Sequence, residues 1–351
     1  VSWTQRKLRV AIVGVGGEAR LYAQDYFLTD LAGVTIVHDI DPVKAESCAR
    51  KFGVPHWTTN FEEVLTGDVD IVDVSTPNHL HASQSIAALE AGKHVLVQKP
   101  MAPTIEDCEA MVTAARRVNR KLGVYMSALN DPLNHEIKQM IRNGFFGAIS
   151  SVRTRSAHRG GLFMKPKEQH WRGSLEKTGG GSFIQLAVHG LNLMQWLLGS
   201  DIVHVAAFSK NLMCQGRLEG DDVTNAVGEF ANGVHATIES SYCADGGALE
   251  IYGSKGYLIR QSDEIILKST QQFSGELLAY PGQNLEIKIS VASLKDKMQG
   301  LAAKYNQHQL FVRAIVEEQE PPVPGEVGLR DVRIVKAVYR AAKEKRTVEI
   351  Q

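Results

Sequence analysis

Leu8-Arg9-Val10-Ala11-Ile12-Val13-Gly14-Val15-Gly16-Gly17-Glu18-Ala19 is the stretch on which the fold turns. Leu8 to Val13 is mostly apolar and β-branched, as a strand buried on both faces requires. Gly14 and Gly16, with Ala19 in the third place of a GxGxxA pattern, let the backbone turn tightly and approach a pyrophosphate. That group rests on the N–H donors of the following helix. A second apolar run, Val34-Thr35-Ile36-Val37, leads to Asp39, whose carboxylate can accept hydrogen bonds from an adenosine ribose. Strand, glycine turn, helix, strand and acid in this order point to dinucleotide binding. Gly17 and Ile40 flank the same turn and acid and join the expected cofactor cradle. A glycine turn alone would say little, because other α/β proteins use one too.

Outward from this stretch, short Val/Ile-rich runs at 69–74, 94–97 and 122–126 alternate with helical patterns at 42–52, 79–91 and 104–119. Such alternation predicts a doubly wound parallel sheet with helices on both faces. After a helix over 132–143 the pattern changes to extended runs at 148–156, 202–208, 223–230, 234–242, 248–252 and 256–260. Ala231-Asn232-Gly233 between two of them signals a hairpin. One helix over 186–198 interrupts the runs, two more over 302–317 and 330–343 close the chain, and 269–300 reads as loop. The expectation is a Rossmann domain over 1–127 and an α+β domain over 128–351. The second is an open, mostly antiparallel sheet with helices on one face, and its last helix can pack back on the first domain. The sheet's other face, read by alternation as carrying Val203, Val205, Val227 or Ile238, calls for a second copy of the chain, as a dimer or tetramer.

With 351 residues and 44% hydrophobic content there is ample material for two packed cores. Lys and Arg together number 39, as do Asp and Glu, so no basic excess argues for nucleic acid or an anionic membrane. The four cysteines are scattered without CxxC or metal-type His spacing, so neither disulfides nor a metal is expected. No run approaches the roughly 18–20 apolar residues that span a bilayer. The expected location is the cytoplasm.

Three constellations can carry chemistry. Thr76-Pro77-Asn78 and His81 stand where a strand gives way to a helix: Thr76, Asn78 and His81 could donate to a cofactor beside Pro77, or Thr76-Pro77-Asn78 could merely start that helix. Gln98-Lys99-Pro100 ends the next strand. A lysine there reaches the same crevice and can shuttle a proton when its pKa is lowered. Gly179-Gly180-Gly181 leads into the helix on which Gln185, His189 and Asn192 share a face, His189 as a candidate acid/base and Gln185 and Asn192 as candidates to position substrate hydroxyls. The preceding loop, with Trp171 and Arg172, suits a hydroxyl-rich ligand.

Taken together, GVGGEA, VHDIDP, STPNHLH, VQKP and GGGSFIQLAVHGLN resemble the glucose–fructose oxidoreductase / inositol dehydrogenase / MocA family over nearly the whole chain. The resemblance implies NAD(P)-dependent oxidation of a sugar, polyol or glycoside hydroxyl, with the family's lysine at Lys99 and its histidine at His189. Gln185 and Asn192 stand where the family commonly has aspartates, and Ala187 where it has glycine. NAD is favoured over NADP, since the Asp39 carboxylate repels a 2′-phosphate. Two other readings follow from the same family: a member that retains its cofactor and acts by transient oxidation, as an isomerase, epimerase or glycosidase-like enzyme, and a non-catalytic dinucleotide sensor.

Overall fold

The computed structural model describes residues 7–17 and 21–350. Its chain divides into two compact units: one runs to Met126 and takes in Tyr305–Arg330, and the other holds Ser127–Lys304 with the chain from Asp331 onward.

In the first unit, β1 (Leu8–Val13), β2 (Ala32–His38), β3 (His56–Thr58), β4 (Ile71–Val74), β5 (His94–Gln98) and β6 (Leu122–Tyr125) form one sheet in the order β3-β2-β1-β4-β5-β6. All five pairings are parallel. This order reverses direction between β1 and β4, where doubly wound sheets open a ligand crevice at the carboxyl ends of their strands. The intervening helices are α1 (Tyr22–Tyr26), α2 (Pro42–Phe52), α3 (Phe61–Thr66), α4 (Asn78–Glu90) and α5 (Ile105–Arg117). Helix starts follow the side chains: the Asp41 carboxylate accepts from Val43 and Lys44 N–H, and Thr104 Oγ1 accepts from Asp107 N–H.

The second unit is built on α6 (Pro132–Arg142) and a nine-stranded sheet. Its strands are β7 (Ile149–Ala157), β8 (Ile202–Lys210), β9 (Val223–Phe230), β10 (His235–Ser241), β11 (Ala248–Gly253), β12 (Gly256–Gln261) and β13 (Glu264–Ser269), with β16 (Ile287–Ser290) and β17 (Val348–Glu349) at the edges. β7 and β10 pair in parallel and every other neighbour is antiparallel. The β9–β10 hairpin turns at Gly233, whose φ of 82° the Asn-Gly step supplies. β14 (Gln272–Ser274) and β15 (Ala279–Pro281) make a separate ribbon. The stretch 269–300, expected as loop, therefore holds three strands of three or four residues and the start of a helix, α9 (Lys295–Tyr305). Strands that short show no alternation to read.

One face of the large sheet is covered by α8 (Val188–Leu198), which follows α7 (Leu175–Thr178) and a π-helical turn at Phe183–Ala187. A Cβ on Gly190 would stand 2.6 Å from Thr154 Oγ1, so glycine is what lets α8 lie directly on β7. Val205 and Ile238 are fully buried on this covered side, which corrects their assignment to the open face. A bulge between Ile202 and His204 shifts the alternation in β8, and Ile238 lies on the covered side of β10. Val227 does face outward. The closing helices also split. α10 (Gln307–Val316) buries Phe311 and Val312 in the core beneath β1 and β2, so 302–317 does not cover the second sheet, while α11 (Gly325–Glu344) reaches it through Tyr339. Among the described residues no helix is long and apolar enough to cross a membrane.

Candidate active site

Val13 and Val74 are register partners, so the turns that leave β1 and β4 begin side by side. Gly14 adopts φ 86° and donates its N–H to the His38 carbonyl at 2.8 Å. A Cβ there would lie 2.8 Å from Thr76 Cγ2 and 2.9 Å from the Ser75 carbonyl carbon, so both the turn and the close approach require glycine. Gly16 and Gly17 are exposed, and a side chain at either would meet no protein atom within 4 Å. That open, side-chain-free backbone fits a pyrophosphate. Ala19 lies outside the described residues.

Asp39 is buried, and its carboxylate accepts from Val15 N–H at 3.0 Å and from Asp41 N–H at 2.9 Å. It ties the glycine turn to the end of β2, and the remaining lone pairs stay available to hydroxyl donors. Ile40 beside it is 85% exposed. Several neighbours spend their polar atoms inside the protein. Thr76 Oγ1 donates to Gln84 Oε1 at 2.6 Å, and Pro77 precedes the buried Asn78 at the start of α4. His81 is fully buried, with Nδ1 3.0 Å from the Pro100 carbonyl oxygen and Nε2 2.7 Å from that of Thr76. Burial depresses its pKa, and a neutral ring donates to one of the two carbonyls. His81 thus holds the turns after β4 and β5 rather than facing a ligand. Gln98 donates to Tyr22 Oη at 2.6 Å and accepts from Lys99 N–H at 2.8 Å, which fixes the half-buried backbone from which Lys99 projects.

In the second unit the glycine lead-in is built around Asp221, which sequence reasoning missed. Its carboxylate accepts from Gly181 N–H (2.9 Å), Ser182 Oγ (2.7 Å), Phe183 N–H (3.0 Å), Thr224 Oγ1 (2.8 Å) and Tyr339 Oη (2.7 Å). Any Cβ on Gly181 would collide with the Asp221 backbone. Burial and this carboxylate push the Tyr339 phenol far above its ordinary range, so it remains a donor. The π-turn then carries the buried Gln185, and the partly exposed His189 follows in the first turn of α8. Asn192 is buried on the same helix, and its amide donates to Asp331 Oδ2 at 2.7 Å while Gln195 donates to Oδ1 at 3.0 Å. Asn192, expected to position substrate, instead spends its amide clamping α8 to α11. Trp171 and Arg172 lie in a short 3-10 turn, with the guanidinium 4.5 Å above the indole, an aromatic and cationic surface suited to stacking on a hydroxylated ring.

Residues 8–126 match the family model described as "Oxidoreductase family, NAD-binding Rossmann fold", and residues 138–350 match its "C-terminal alpha/beta domain". A 1,5-anhydro-D-fructose reductase of Ensifer adhaerens is 29% identical over 307 residues, 86% of each chain. A D-xylose 1-dehydrogenase [NADP(+)] of Haloarcula marismortui is 26% identical over 99% of this chain and 94% of its own. Among solved structures, the aldose-aldose oxidoreductase of Caulobacter crescentus, complexed with glycerol, is 27% identical with a TM-score of 0.80, covering 98% of this chain and 100% of that one.

Proposed function

The chain belongs to the glucose–fructose oxidoreductase / inositol dehydrogenase / MocA family of oxidoreductases, with its NAD(P)-binding Rossmann domain, and from that premise we propose that it is an NAD-dependent dehydrogenase of a sugar, polyol or glycoside hydroxyl. The observation that carries the reading is the glycine turn at the β1/β4 switch point, packed on Thr76, with Lys99 leaving the adjoining strand β5. Sugar-acting relatives along most of the chain support the substrate class.

A bound nicotinamide would supply the hydride acceptor for oxidation of the substrate's carbinol carbon. The chain's own residues do the rest. Lys99 donates a hydrogen bond to the reacting oxygen, and His189 takes the hydroxyl proton. Trp171, Arg172 and Gln185 position the other hydroxyls, with Asn192 holding the helix beneath them. Backbone N–H groups of the glycine turn hold the pyrophosphate, and Asp39 favours an unphosphorylated ribose, hence NAD over NADP. The open face of the second sheet seats another copy of the chain.

An absorbance screen at the reduced-cofactor band tests this, with NAD+ and NADP+ each offered with inositols, hexoses, pentoses, sugar acids and glycosides. Reduction of NAD+ by a polyhydroxy substrate is expected. Lys99→Ala should lower kcat by roughly 10²–10⁴-fold with NAD affinity within a few-fold. A preference for NADP+ overturns the role of Asp39, and near-normal turnover in Lys99→Ala overturns that of the lysine. A silent panel together with stoichiometric NAD(H) released on denaturation replaces net dehydrogenation by a retained-cofactor mechanism.

A further inference from the structure

We propose that Cys214, Asp222 and Cys243 form a binding site for a thiophilic d10 divalent cation of the zinc class. The two sulfurs are 3.7 Å apart, and no two of the three ligand atoms (two Sγ and a carboxylate oxygen) are more than 4.8 Å apart. Two thiolates about 2.3 Å from one tetrahedral ion stand about 3.8 Å from each other. Thiols in plain contact share that spacing. The carboxylate within reach of both sulfurs is what sets this trio apart.

The backbone places all three ligands at one end of three neighbouring strands. Cys214 lies in the turn after β8, Asp222 immediately before β9, and Cys243 just past β10. Asp222 N–H donates to the Lys210 carbonyl at 3.0 Å, and Tyr242 N–H donates to the Asp222 carbonyl at 2.8 Å, which locks this strand end to both neighbours. The Asp222 carboxylate is itself oriented by N–H groups of Leu212 (2.8 Å), Met213 (2.6 Å) and Cys214 (2.8 Å). Leu212 N–H donates to Oδ1, and the side chains of Cys214 and Cys243 also hydrogen-bond this carboxylate, so an ion that displaces the thiol protons meets an acceptor already turned toward both sulfurs. Cys214 is fully buried and Cys243 partly exposed, which gives the site an inner wall and a side of approach. Leu218, Tyr242, Leu162, Met164 and Leu186 pack around the sulfurs. An apolar shell of this kind strengthens metal–thiolate bonds by excluding water.

Binding displaces the two thiol protons and leaves a dithiolate-carboxylate complex with a fourth position for water. Sequence spacing does not reveal the trio, because its members are brought together only by strand pairing. A Cβ on Gly161 would approach Cys214 Sγ to 3.1 Å, so the start of the 158–173 segment rests on this cluster, and an ion here stiffens it.

The test uses the full-length protein, reduced and freed of metal, titrated with Cd2+. One equivalent should produce a sulfur-to-cadmium charge-transfer band, release about two protons and raise Tm, and Zn2+ in excess should compete for the site and reduce the band. Cys243→Ser, at the exposed side, should abolish all three signals, as should Cys214→Ala, while Cys48→Ser and Cys108→Ser retain them. Asp222→Asn should weaken binding at least about tenfold. A band absent at one equivalent, or one that persists in Cys243→Ser, overturns the site. So does a Cys214–Cys243 disulfide located by peptide mapping in protein isolated without reductant, because it shows these two sulfurs joined to each other instead.

Discussion

His308 is a buried imidazole set between two carboxylates. Its imidazole is fully buried in the first unit, with Nδ1 2.9 Å from Asp25 Oδ2 and Nε2 3.3 Å from Asp73 Oδ2. Tyr26 Oη donates to the same Asp73 oxygen at 2.9 Å, and Ser75 Oγ to the other at 2.9 Å. Rings of Tyr22, Tyr125 and Tyr26 stand 4.6, 4.7 and 4.9 Å from it. Burial works to depress the pKa, but the two carboxylates outweigh it and the net shift is upward. A folded pKa above the unfolded value of about 6.5 means the stabilisation is complete below that pH. It is lost as pH rises through the folded value. His308→Gln should remove that loss and cost about 3–5 kcal/mol at pH 6, since it leaves Asp73 buried beside Asp25 without a cation. Urea unfolding of both proteins from pH 6 upward decides the matter, and parallel pH slopes would refute it. At this scale the sequence is uneven. Gly14 is legible because its turn and its close approach to Thr76 demand glycine, and Asp39 is legible as an acid closing a strand, while its hold on the Val15 and Asp41 N–H groups shows only in the structure. His81, Asn192 and His308 are polar residues turned inward, and a one-dimensional pattern does not say which way a histidine or asparagine points.

Elements inherit their placement from a few such anchors. The lead-in to α8 is a run of glycines followed by a π-turn, geometry with little stability of its own. Five donors converging on Asp221 hold it, two from backbone N–H groups and three from hydroxyls on three different elements. An amide at that position offers one acceptor oxygen in place of two and loses the charge. Asp221→Asn should therefore cost at least about 3 kcal/mol, because charge-assisted hydrogen bonds contribute roughly 1.5–3 kcal/mol each. On the proposed role of His189, loosening the lead-in should lower kcat/KM by more than tenfold while NAD affinity changes little. Thermal denaturation and steady-state kinetics of the same variant check both halves, and unaltered kcat/KM would show that the lead-in positions nothing catalytic. The glycines and the helix they introduce are readable from the sequence, as is the β9–β10 hairpin from its Asn-Gly step. Asp221 is not, because it meets these residues only through the strand β9. Nor does an amphipathic pattern reveal which core it joins: α10 packs Phe311 against Gly123 of β6, a closeness that shows only in three dimensions.

For the molecule as a whole, the unsettled surface is the open face of the nine-stranded sheet. Phe208 on β8 is 84% exposed and Val227 on β9 is 54% exposed, and the pairings Ala206↔Val227 and Phe208↔Asn225 put them one step apart on the same face. Farther along that face, Arg153 and Arg155 are already neutralised by Glu239 and Glu250 at 2.7–2.9 Å. A surface of apolar side chains beside internally paired charges can meet its own copy without stranding a charge, as a two-fold interface requires. Burying each of the two apolar side chains is worth about 1.5–3 kcal/mol, or about 6–12 kcal/mol over both copies. Association costs an estimated 4–15 kcal/mol, so these side chains alone roughly break even and the rest of the face must contribute. The expected result is a dimer or tetramer in light scattering at micromolar concentration. Phe208→Asp removes about 3–6 kcal/mol across a two-fold interface. That weakens the Kd by at least about a hundredfold, enough to give monomers at the same concentration. A wild-type chain already monomeric there would leave the face without a partner of its own kind.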